Sequence, residues 1–405
     1  MAPAVADFHS LFQSENEKGS GVVIEVFFSR KRCWLPTNLR GELGGRRFTV
    51  LFLLRATWVV IDTEANSARL LHLSSRGPSR PRRLSTLRLT PLPIRTTTPF
   101  GTMNDIRAEL AAILLNRQLP CGGWAALSFS SQPVLEPTAL SFLALGSEFN
   151  PAARNRARQF LLDSQNLNGS WPAFLGDDQE GSWVTSLVLI ALRDIVEDTL
   201  VRLRGFAWLS NSAGKESNWL WEWKFRTTDR HVKFDPDKFG WPWLPDTNSW
   251  VVPTASAILA IRGLPCTCGI ETITSRMQRG LEMLLDRVCP GGGWNAGNGV
   301  VYGAPLAPHP DDTAIALLAL NLQTQEPAVR MSIEWLERAA PVLVAPWSLA
   351  WSILALAAHG RSVSPLVDTL LHLPELDQIE DTSTLALVLL AFDCPRGLAA
   401  FGVSA

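Results

Sequence analysis

Little in this chain points to a metal or a disulfide. Its 405 residues include 6 cysteines, and no two form a Cys-x-x-Cys pair. That excludes a disulfide scaffold and a zinc ribbon. Net charge is also missing. The 37 basic and 38 acidic residues leave −1, without the basic excess that draws a whole chain to nucleic acid. Charged residues are only 19% and hydrophobic ones 46%, which suits a sizeable core and argues against global disorder. Tyrosine occurs once, as Tyr302, against 16 tryptophans. No charged start followed by an apolar block marks a secretory signal, so a cytoplasmic protein is expected, at most peripheral to a membrane. Long apolar runs are scarce too. Ala339 to Ala358 has the nominal spanning length without a charge. Pro341 and Pro346 interrupt it, and its second half matches a repeat, so a buried helix is expected there.

The chain changes character near residue 102. Residues 1–102 carry 15 basic and 7 acidic residues, and 13 of the 15 are Arg. The remainder carries 22 basic and 31 acidic. Ser74 to Pro99 is rich in Arg, Pro, Ser and Thr, lacks acids and shows no helical period, as in a disordered segment. Three readings compete for residues 1–102. A transit peptide fits the Arg and Ser but not Asp7, Glu15 and Glu17. A small β-rich module fits the apolar run Phe48–Val60, broken by Arg55. In the third, translation starts at Met103, where the composition breaks and the first periodic helix begins.

Residues 103–405 are a repeat, and repeats decide the fold. A Thr followed by an apolar helix recurs at Thr138, Thr185, Thr254 and Thr313, spaced by 47, 69 and 59 residues. A looser copy follows Trp347, and a last one, of ambiguous frame, spans Asp381 to Phe392. Helices with a three-and-four apolar period precede the first five: Ile106–Asn116, Ala153–Ser164, Leu203–Leu209, Ser275–Arg287 and Val329–Arg338. Three of them end in a turn carrying Gly and Trp: Gly123-Trp124, Gly169-Ser-Trp171 and Gly293-Trp294. Segments such as Ala314–Leu320 are apolar all round and must be buried on every side. The expected fold is all-α, a single α/α toroid of about six hairpins with an inner and an outer ring, preceded by a poorly structured N-terminal segment. Closing the ring removes the exposed ends of the array.

The stretch Arg158-Gln-Phe-Leu-Leu-Asp-Ser-Gln165-Asn-Leu-Asn-Gly169-Ser-Trp171 resembles the QW repeat of squalene and oxidosqualene cyclases. Asn116-Arg-Gln118-Leu-Pro-Cys-Gly122-Gly-Trp124 is a shorter version. The same toroid occurs in protein prenyltransferase β subunits, and the resemblance covers about three quarters of the chain. His309-Pro-Asp311-Asp312-Thr313-Ala314 resembles the DxDD-T-A motif of squalene-hopene cyclase, with His309 in place of the first Asp. The resemblance implies Asp311 as the acid that protonates an alkene, with His309 and Asp312 beside it. The bland alternative is that both acids favour the helix start while Thr313 caps it. Prenyltransferase β subunits hold zinc through an Asp-x-Cys pair and a distant His. No Asp-x-Cys occurs here, so neither a catalytic zinc nor another cofactor is expected, and prenyl transfer to protein is disfavoured.

The repeat register alone places Glu136, Trp183, Val252, Asp311 and Trp347 at one equivalent position, a rung at one mouth of the ring. Glu136 and Asp311 should then face each other across it. Glu136, Trp183 and Trp347 are candidate substrate contacts. So are Trp241 and Trp243, from an insertion dense in tryptophan, and Tyr302. Trp219, Trp221 and Trp223 would share one face if extended, as an aromatic lid or a hydrophobic plug. Lys224, Arg226, Arg230, His231, Lys233 and Lys238 could hold a diphosphate, but Asp229, Asp235 and Asp237 interleave with them. Two functions are expected from this. One is an isoprenoid-acting enzyme like the terpene cyclases. The other is a non-catalytic toroid that binds a hydrophobic ligand or a protein, as a homodimer or with a partner subunit. Nucleic acid is not an expected partner.

Overall fold

A computed structural model describes the backbone of residues 38–43, 46–53, 57–62, 67–72 and 87–88, and residues 103–404 except 147–149, 177, 229–230, 265–269 and 375. The chain divides into two units, 1–98 and 99–405. In the first, β1 (Asn38–Leu43), β2 (Arg46–Leu53), β3 (Thr57–Asp62), β4 (Ser67–His72) and β5 (Leu87–Arg88) pair in chain order as an antiparallel meander. The β-prone run Phe48–Val60 falls on β2 and β3, where Val50 lies opposite Val60. The stretch Ser74–Pro99 lies, apart from β5, outside the described residues.

The second unit is the α/α toroid. Six inner helices pack in sequence: α2 (Leu135–Leu145), α4 (Val184–Ala191), α7 (Val251–Arg262), α9 (Pro310–Ala319), α11 (Pro346–Ala358) and α13 (Thr382–Phe392). The last returns to the first, so the ring is closed. The outer helices are α1 (Met103–Asn116), α3 (Pro151–Asp163), α5 (Thr199–Asn211), α8 (Ile270–Asp286), α10 (Pro327–Ala339) and α12 (Ser364–Leu371). Their starts follow local chemistry. For α3, Pro151 occupies the first turn and Asn150 Oδ1 accepts from the backbone N–H of Ala152 and Ala153. The membrane-length run is broken as its prolines require. α10 ends at Ala339, a 3₁₀ turn covers Ala340–Val342, and α11 begins at Pro346. Among the described residues no single helix is long and apolar enough to cross a membrane.

The Gly-Trp turns fasten outer helix to inner helix through one recurring device. The indole N–H of Trp124, Trp171 and Trp294 donates to Leu114, Leu161 and Leu284 O at 2.7, 2.7 and 2.6 Å, near the outer helix end. Their backbone N–H groups donate to the Oγ1 of Thr138, Thr185 and Thr313, each at 2.8 Å. The repeated Thr therefore does not cap its helix. It lies inside the first turn and receives the preceding turn. Gly240-Trp241 is a fourth copy, with Trp241 donating to Leu209 O and to Thr254 Oγ1. Gln118 and Gln165 add a second tie. Each side-chain amide bridges its own turn, at Gly122 O or Gly169 O, to the next outer helix, at Ala153 O or Val201 O.

Backbone contacts also stitch the inner N-termini together at one end. Val134 bridges Phe174, Leu127 bridges Asp381, Trp183 N–H donates to Trp243 O, and Val251 N–H donates to Ala296 O. The opposite end is closed by α14 (Cys394–Ala400), bent 118° from α13. It packs on α2, α11 and α13. Arg396 donates to Ala144 O, and Arg193 to Ala400 O.

Candidate functional site: the mouth of the ring

The ring centre is filled. Val184–Ala191, Pro253–Ile261, Asp312–Leu320, Leu349–Leu356 and Leu385–Phe392 are buried without exception, and α2 is buried from Pro137 to Leu145 apart from Leu143. A solvent channel along the axis would leave one face of each helix exposed. Trp351 takes up much of the space, 5.8 Å from the Trp347 ring on one side and 5.2 Å from Phe401 on the other. At the stitched end the first turns of the inner helices keep partial exposure.

The sequence candidates separate there. Glu136, Asp311 and Trp347 each occupy the second position of their helix and are half-buried, as the repeat register requires. Trp183 stands just ahead of α4, edge-on to Trp243 with ring centroids 4.9 Å apart. Asp381 joins this end as the cap of α13, its Oδ1 accepting from Thr384 N–H. Two candidates do not belong. Trp241 is 2% exposed and spent on its turn, with Arg276 stacked 3.6 Å from its ring. Tyr302 is 77% exposed on the β6 (Val300–Val301) to β7 (Ala304–Pro305) hairpin, stacked on His231.

Two carboxyls are electrostatically unusual. Glu136 keeps some solvent contact, but the surrounding protein excludes most water. That desolvation, and secondarily the charge of Asp381, push its pKa up to about 7. Asp312 is buried and 2.8 Å from His309 Nδ1. Burial pushes its pKa up to about 6, the His309 hydrogen bond opposes this, and Asp311 adds to it. Asp312 is buried where Asp311 is only half-buried, so the first turn sets Asp312 into the wall while Asp311 holds the rung. The motif thus divides. The carboxyl with the His partner is Asp312, not Asp311.

The insertion also differs from its reading. Trp219–Thr227 is a helix, α6, so Trp219 and Trp223 share an exposed face at 75% and 56% while Trp221 turns away. Its Lys215 and Lys224 contacts are cation–π, at 3.6 and 4.5 Å. Arg226 pairs with Glu222, Asp235 and Asp237, and Lys238 with Asp235 and Asp286. Arg226 and Lys238 are thus neutralised by the insertion's own acids and by Asp286 of α8 rather than held open for a diphosphate. Arg230 and Asp229 lie outside the described residues. Two open clefts of about 370 and 710 Å³ flank Asp235 and Pro236, and neither is lined by a mouth residue. Among the described residues no cluster of three or more His, Cys, Asp or Glu could hold a metal.

No protein-family model matches the sequence, and no curated protein matches it. Solved structures do. A family 76 glycoside hydrolase from a bovine Bacteroides thetaiotaomicron strain aligns with TM-score 0.51 at 10% identity, covering 85% of each chain. An alpha-amylase from Clostridium perfringens aligns with TM-score 0.50 at 10% identity, over 73% of this chain and 99% of that one. The type II terpene cyclase MstE from Scytonema aligns with TM-score 0.45 at 13% identity, over 74% and 99%. At such identities the likeness is one of architecture. This chain has the α/α toroid fold expected from its repeats, an architecture similar to that of the glycoside hydrolase and the alpha-amylase.

Proposed function

We propose that the toroid binds a hydrophobic, isoprenoid-like molecule at the stitched mouth. The observation that carries this is the convergence there of Trp183, Trp243 and Trp347 with Glu136 and Asp311, above a ring centre with no room for a ligand. Apolar surface held open beside a few polar groups is what a small-molecule site requires. A second reading, protonation-initiated cyclisation, is favoured by the Asp312–His309 pair. A carboxyl desolvated by burial holds its proton closer to neutrality, and the His can stabilise the carboxylate left after transfer.

The experiment is incubation of the full chain with squalene, farnesyl diphosphate and geranylgeranyl diphosphate, with magnesium. Gel filtration is followed by gas chromatography–mass spectrometry of the protein fraction. Unchanged ligand that co-elutes with wild type and is lost from Trp347→Ala supports the binding reading. A cyclic product that disappears in Asp312→Asn establishes the second. Absence of both ligand and product for every compound rejects the isoprenoid reading.

A further inference from the structure

The larger of the two clefts beside Asp235 has the size and the walls of a small-molecule site. Its volume of about 710 Å³ falls within the roughly 300–1,000 Å³ usual for such sites. Phe225 of α6, Phe234 of the insertion, Val288 just past α8 and Val300 of β6 supply its apolar wall. Three ties hold these pieces together. Val232 bridges Val301 and Lys233 N–H donates to Val300 O, so the insertion lies along the hairpin. Asp235 N–H donates to Asp286 Oδ2 at 2.9 Å, which joins the insertion to α8. The buried Arg287 guanidinium stacks 4.0 Å from the Phe234 ring centroid and donates to Asn298 Oδ1 at 2.6 Å. Phe234, edge-on to Phe225 with centroids 5.0 Å apart, is thereby fixed before any ligand arrives. The charges around the cleft leave one group over. Arg226 pairs with Glu222 and Asp237, Asp235 with Lys238, and Asp286 with Lys238 and Arg287. Lys233 also lines the cleft, is exposed, and has no ion pair among the described residues. An open ammonium beside fixed aromatic rings matches a molecule with an apolar body and one negative group.

We infer that this cleft binds a small apolar anion, its body against Phe225, Phe234 and Val300 and its negative group at the Lys233 ammonium. The site is separate from the mouth and does not rest on the isoprenoid reading. The test is titration of the full chain with anilinonaphthalene sulfonate, an aryl anion that fluoresces on leaving water, and with its neutral parent phenylnaphthylamine. The sulfonate should bind wild type saturably. Lys233→Gln should weaken it about fivefold, the effect of one charge at about 4 Å in a wet site, and leave the neutral parent unchanged. Phe225→Ala should weaken both roughly tenfold, through lost apolar contact. Raising salt from about 50 to about 500 mM should weaken the sulfonate in wild type and spare the neutral parent. Lys233 is exposed, so its variant should keep the fold, and the salt series needs only wild type. No saturable binding of the sulfonate overturns the inference. Equal affinity of wild type and Lys233→Gln also overturns it, because the probe then sits elsewhere, the mouth included. Neither result touches the isoprenoid reading, which stands or falls on the ligand retained at Trp347.

Discussion

Glu136 carries a cost that depends on pH. Its folded pKa of about 7 lies above the ordinary carboxyl value of 4.5, so the folded chain holds a proton there that the unfolded chain has lost. Stability from this group is intact below pH 4.5 and falls as pH rises to about 7. Glu136→Gln removes that slope. Urea unfolding at pH 8 should show the variant about 1–3 kcal/mol more stable than wild type, with the gap closing by pH 4. An unchanged gap across that range rejects the desolvated carboxyl. The position of Glu136 was legible in the sequence because the repeat register counts from the Thr to the helix start. Its neighbour Asp381 was not. The sixth phrase offers both Thr382 and Thr384, which leaves its frame ambiguous, and Asp381 precedes its helix as a cap rather than occupying the second position. Nor could sequence spacing assign the acid of the Asp311-Asp312 pair. Adjacent residues point in different directions, and only packing shows which one the wall buries.

At the scale of the element, the Gly-Trp turn is the unit that makes a hairpin out of two helices. Gly169 has φ +93°, and a Cβ there would lie 2.5 Å from Arg204 O. Gly169→Ala should therefore cost well over about 1 kcal/mol. Trp171→Phe keeps the ring but leaves Leu161 O without its donor and a gap beside it, at about 2–4 kcal/mol. Thermal melts of both variants check this; losses under about 0.5 kcal/mol would mean the turn only decorates the hairpin. Three of the four turns could be read from sequence because Gly and Trp follow the outer helix closely. The fourth, Gly240-Trp241, was hidden because Ser212–Phe239 intervenes after α5, and its Trp was counted among the insertion's exposed rings. The alternating tryptophans misled for a related reason. Trp219-x-Trp221-x-Trp223 fits a strand as a pattern, but Asn218 accepts from Leu220 N–H and starts a helix.

For the whole molecule, closure converts an array into one cooperative body. An open stack of hairpins frays from its ends, because each unit is held only by its neighbours. Here α13 packs on α2, and α14 crosses the far end, where Leu398, Phe401 and Val403 are buried together. No periodic signal announced α14, since seven residues do not make a pattern. Yet Phe401 is what Trp351 rests on. Phe401→Ala should cost about 3–5 kcal/mol, a large share of the 5–15 kcal/mol available to a domain. Because the stopper touches several inner helices, the loss should appear as one lowered transition rather than a separate early phase. Urea unfolding followed in parallel by far-ultraviolet circular dichroism and tryptophan emission measures both quantities. Coincident transitions at lower urea support the closed ring. If instead emission shifts well before helicity falls, the far end opens on its own, α14 is a loose cover, and the ring does not depend on it.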